Sequence, residues 1–84
     1  MQFSTAADAR KITDDLYNQL RQVRYNKDMR KMLENINKMI DELSSLEVKA
    51  RQAKKSSIPT HKLEEIQKAI NHLSSLIMIM RLID

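Results

Sequence analysis

The stretch of this chain best equipped for chemistry is basic. Residues 49–62 hold Lys49, Arg51, Lys54, Lys55 and Lys62 with no acid among them, and His61 can add a further charge, while the rest of the 84 residues sums to −1 of the net +4. Clustered ammonium and guanidinium groups attract phosphates, and the release of counterions condensed on a nucleic acid drives their binding. A second strip offers related chemistry. On a helix, Arg10, Tyr17, Arg21 and Arg24 fall on one side at spacings of seven, four and three, which sets a phenol ring among guanidinium groups, a pairing suited to stacking on an exposed base. Asp14 lies in the same strip and offsets part of its charge. The partner these residues point to is nucleic acid, single-stranded or duplex. The competing reading is that 49–62 is a solubilising turn, whose basic side chains suit the negative end of a preceding helix.

The residues for catalysis are not arranged to perform it. The acidic doublets Asp14-Asp15, Asp41-Glu42 and Glu64-Glu65 are sequence neighbours, so on a helix their carboxylates point about 100° apart and share no site. His61 and His72 are eleven positions apart, with no second His or Cys at ligand spacing, so a zinc site would need ligands from several helices. The lack of Cys removes thiolate nucleophiles and disulfides and suits a reducing compartment. The lack of Gly removes any phosphate-cradling loop. The chain is therefore expected to be no enzyme, to use no cofactor or metal and to take no small-molecule substrate.

The elements that position these residues are helical. With no Gly, one Pro and three aromatics, the composition lacks the means for tight hairpins and favours helix throughout. A near repeat organises the chain. LENINKMIDELSSL, from Leu33, returns thirty positions later as LEEIQKAINHLSSL, from Leu63, with nine of fourteen residues identical, including Glu34/Glu64, Lys38/Lys68 and the Ser-Ser pairs Ser44-Ser45 and Ser74-Ser75. Apolar positions recur at offsets 0, 3, 7, 10 and 13, the stripe of an amphipathic helix, so one helix pairs with a near copy of itself, by duplication or by chance.

The expected fold is all-α, a three-helix bundle in one domain: a long antiparallel hairpin of helices at about 28–55 and 60–83, flanked by a helix at about 5–25. Thr5 is a plausible first cap. The first helix carries Ala9, Ile12, Leu16, Leu20 and Val23 on a narrow stripe, and the apolar residues after it emerge on nearly the opposite face. A break within 25–28 resolves the mismatch, with Asn26 ending one helix in the left-handed conformation and Asp28 capping the next. The alternative is one long helix whose halves meet different partners. In the second helix Met29, Met32, Ile36, Met39, Leu43, Leu46, Ala50 and Ala53 alternate at three and four, a heptad seam that Leu33 and Ile40 widen, and Glu47 and Arg51 form an i, i+4 pair. Pro59, following Ser56, Ser57 and Ile58, punctuates a short connection, and Thr60 can cap the third helix.

That third helix changes character at its end. Leu76, Ile77, Met78, Ile79, Met80, Leu82 and Ile83 surround it with apolar groups, more than one hairpin partner can cover, so the first helix, a second copy or a partner helix must cover them. The molecule should then carry an apolar pole and, a helix length away, a basic one. No apolar run approaches the roughly 20 residues that span a bilayer, and the first residues do not resemble a signal peptide. Together these features suggest a soluble cytoplasmic accessory protein that binds nucleic acid at its basic tip and assembles through its apolar pole. The alternative is a protein-interaction adaptor that works through the apolar pole alone.

Overall fold

A computed structural model of the protein describes residues 3–24, 26–53 and 59–83. It is all-α, with α1 at Ala6–Arg21, α2 at Lys27–Gln52 and α3 at Thr60–Ile83. Ser56, Ser57 and Ile58 of the expected connection and the tip residues Lys54 and Lys55 lie outside the described residues, as does Tyr25.

Local chemistry sets the ends. The Thr5 backbone is extended and its hydroxyl accepts from the Asp8 amide at 3.2 Å, which satisfies one of the free amides of the first turn. α1 stops at Arg21, earlier than the stripe suggests, with the Gln22 and Val23 amides donating back to the Gln19 and Leu20 carbonyls. Val23 turns inward and is buried there. Asn26 does not take the left-handed conformation. It is extended, at φ −137 and ψ 111, and its side chain accepts from the Met29 amide at 3.1 Å, so it caps α2 and leaves Asp28 as a favourable charge in the first turn. One unbroken helix through this region is thereby excluded. Thr60 is the first residue of α3, not its cap.

The helices alternate in direction. The Ala6 amide meets Glu47 and the Arg10 guanidinium meets Asp41, so α1 runs back along α2. Lys62 meets Glu42, while His72 shares a groove with Met32 and Asn35, so α3 also runs antiparallel to α2. α1 and α2 make the most extensive contact, α2 and α3 the next, and α1 touches α3 least. The first helix is therefore a full member of the bundle, with a more extensive contact to α2 than α3 makes. The molecule measures 49 × 18 × 17 Å.

Serving two neighbours widens the core line of α2. Met29, Leu33, Ile36, Ile40 and Leu43 are buried, and Met32, Met39 and Leu46 pack at its edge. Ile36, Ile40 and Leu43 are the deepest residues, so the core of α2 combines the seam positions Met29, Ile36 and Leu43 with Leu33 and Ile40, which widen it toward the second partner. Ala53 is exposed instead of narrowing a crossing. Ile66, Ile70, Leu73 and Ile77 complete the core from α3. From α1, Thr13 joins the apolar residues. Its hydroxyl bonds to the Arg10 carbonyl at 2.9 Å, which is what lets a polar side chain be buried there.

The repeat has a structural counterpart. Ile36/Ile66, Ile40/Ile70 and Leu43/Leu73 are buried in both copies, Ser44/Ser74 and Leu46/Leu76 are half-buried, and Ser45/Ser75 are exposed. At these positions equivalent residues occupy equivalent environments, as a pseudo-twofold relation between α2 and α3 requires, whereas Leu33 is buried and Leu63 half-buried.

Candidate functional site

The expected site residues lie on a surface at each end of the bundle and on a strip along α1. The first lies where the C-terminal turns of α2 meet the start of α3. Lys49, Arg51 and His61 are exposed here. An open groove of about 490 Å³ runs between the helices, lined by Glu42, Ser45, Leu46, Lys49, Pro59, His61 and Lys62. Lys62 does not stand free in it. Its ammonium binds the Glu42 carboxylate and lies 3.9 Å from Glu65, and the hydrogen bond to Glu42 above all, with the charges of both acids, raises its pKa against a smaller opposing effect of desolvation. This cation of the groove is thereby matched by carboxylates within the molecule, and a phosphate would have to compete with them.

The strip on α1 is likewise partly committed. Arg10 donates to Asp41 at 2.6 Å, and the Arg21 guanidinium lies 6.0 Å from the centre of the Tyr17 ring, within reach of a cation–π contact. Tyr17 itself is exposed at 44%. Only the Arg10 end of the strip lies toward the tip. Because α1 runs antiparallel to α2, Arg21 and Arg24 lie at the end where α2 begins, whereas Lys49 and Arg51 lie at the end where it stops. Sequence spacing placed Arg10, Tyr17 and Arg21 on one side of a helix but could not reveal Asp41 and Glu42, which arrive from another element.

The second surface is the C-terminal end of α3. Ile77 is fully buried and Leu76 and Met80 are half-buried, but Met78, Ile79, Leu82 and Ile83 remain 61, 51, 86 and 74% exposed. α1 therefore does not wrap over this end. Beside it, on the α2–α3 side, lies a hollow of about 180 Å³ lined by Met32, Asn35, Ile36, Met39, Ala69 and His72. The hollow was not foreseen, although the repeat contains its cause: the seventh position is Met39 in one copy and Ala69 in the other, and the missing side chain leaves space between the paired helices.

Among the described residues there is no group of three or more His, Cys, Asp or Glu able to hold a metal ion, and no helix is long and apolar enough to cross a membrane. No family model, curated protein or solved structure matches the chain.

Proposed function

We propose that the protein is a non-enzymatic assembly module that self-associates through the apolar end of α3. The observation that carries this reading is the exposure of Met78, Ile79, Leu82 and Ile83 together on the last two turns of one helix. Single exposed aliphatic residues are ordinary on a protein surface, but a contiguous group bordered by polar residues is the signature of a contact site. The six methionines of the chain add to it: Met78 and Met80 contribute unbranched, polarisable side chains to this end, which suit an adaptable contact.

Nucleic-acid binding at the other end is the second reading, supported by the exposure of Lys49, Arg51 and His61 beside an open groove. It ranks below assembly because Lys62 and Arg10 already have carboxylate partners and Arg21 and Arg24 lie at the far end from Lys49 and Arg51. Sedimentation of the parent chain and of an Ile79→Lys, Ile83→Lys variant tests the first reading. The variant should lose association while keeping its helical circular dichroism, and a parent that stays monomeric at high concentration would exclude it.

A further inference from the structure

We infer that the hollow between α2 and α3 is the seat for the α3 end of a second copy of this chain, so that two chains pair with their α3 helices antiparallel. The inference rests on the self-association proposed above and specifies its geometry. The hollow lies on the side of α2 away from α1. Asn35 and Met39 line it, whereas Asn37, which adjoins Tyr17, and Asp41, which binds Arg10, face α1. Two residues along a helix is a rotation of about 200°, so the two sets point in nearly opposite directions.

Hollow and apolar end are continuous. Starting from Ala69 and His72 in the hollow, Leu76, Ile79 and Ile83 follow at spacings of four, three and four, which keeps them on one face of α3. One face of one helix thus presents a depression and, about two turns further on, a protrusion. A twofold axis crossing α3 between Ser75 and Leu76 brings position 79 of one copy level with 72 of the other, and 83 level with 68, next to Ala69. Ile79 of each chain then meets the hollow of its partner at His72, with Ile83 of the same face beside it, and the contact is isologous, as a closed dimer requires. Ser75, small and exposed, lies next to the axis where the two helices approach most closely.

Charge and area favour this arrangement over the two apolar tips meeting with the helices parallel. Parallel pairing sets Lys68 beside Lys68 and Glu65 beside Glu65 and leaves both hollows empty, whereas the antiparallel register brings Lys68 level with Ile83. An exposed Leu, Ile or Met side chain offers on the order of 100 Å² of apolar surface. Weighted by their exposure, Met78, Ile79, Leu82 and Ile83 supply roughly 300 Å² per copy, so tip-to-tip contact buries roughly 600 Å², about half of the minimum for a specific interface. Seating each end in the other chain's hollow adds the walls of the groove and the Ser75 face.

The absence of Cys makes the test direct. Ser75→Cys and Ser45→Cys change equivalent exposed positions of the two repeats, of which only the first lies at the axis. Under mild oxidation of the full chain, Ser75→Cys should form a disulfide-linked dimer, which requires Cα atoms within about 7 Å, and Ser45→Cys should stay monomeric on a denaturing gel. His72→Glu, at the rim of the hollow, should weaken dimerisation by about ten-fold or more with unchanged helical circular dichroism. Equal crosslinking of both cysteine variants overturns the geometry. If the parent sediments as a dimer while Leu82→Cys crosslinks and Ser75→Cys does not, the tips meet end on, and the geometry falls while the proposed function stands. If the parent sediments as a monomer, both fall.

Discussion

The carboxylate of Glu47 accepts a hydrogen bond from the backbone amide of Ala6 at 2.9 Å, joining residues 41 positions apart. Ala6 is the first residue of α1, and its amide has no partner within the helix, so the carboxylate serves both as a cap and as a negative charge at the positive helix end. With the connection through 22–26 at the other end, this contact holds α1 along α2 at both of its ends. Glu47→Ala should cost about 1 kcal/mol, the size of a lost cap, and Glu47→Gln less, because an amide oxygen can still accept the bond. The urea midpoint at constant m-value reads the difference. An unchanged midpoint in Glu47→Ala would leave apolar packing alone to place α1.

Lys62 predicts a change at high pH. Its hydrogen bond to Glu42, first, and the charges of Glu42 and Glu65 hold its pKa above the ordinary lysine value of 10.5, so the folded chain retains this proton more tightly than the unfolded chain does. The resulting stability is complete below that ordinary value and is lost as pH rises through the higher folded one. The parent should therefore lose stability relative to Lys62→Met only in strongly alkaline solution, with a constant difference through neutral pH. Unfolding curves that keep the same separation across the alkaline range would show that the Glu42 contact does not hold the proton.

How much of this was legible in the sequence depends on whether a feature is local. Thr5 as a cap, the break between α1 and α2, and the buried Ile66, Ile70, Leu73 and Ile77 follow from neighbouring residues and helical periodicity. The role of Asn26 was misjudged because the same residue type can end one helix or begin the next, and the choice depends on whether its side chain reaches Met29. The widening of the seam by Leu33 and Ile40 was legible and both are buried, but Met32 and Met39, regular seam positions, are only half-buried, because α1 packs on the other side of α2. The charges were least legible. The hydrogen-bond partners of Lys62, Arg10 and Glu47 lie 20, 31 and 41 positions away, separations that no local pattern encodes, and only the weaker Lys62–Glu65 pair is local.

The second reading makes its own forecast about the tip. If it contacts four or five phosphates of a single strand, log affinity should fall with log salt at a slope of roughly −3, and each lost contact should reduce the slope by about 0.7. The structure adds a ranking. Lys49→Gln and Arg51→Gln should weaken binding more than Lys62→Gln or Arg10→Gln, since the latter two cations already share their charge with carboxylates. Four equal effects would mean that these internal pairs open on binding, and no binding at low salt would leave assembly as the remaining function.

The most direct test of self-association through the end of α3 is sedimentation equilibrium of the parent chain over a wide concentration range, at low and high salt. The account predicts a mass that rises from 9.9 kDa toward twice that value, with an association that added salt does not weaken, because the contact is apolar and not ionic. A mass that stays at that of one chain up to high concentration, in both salts, would contradict it.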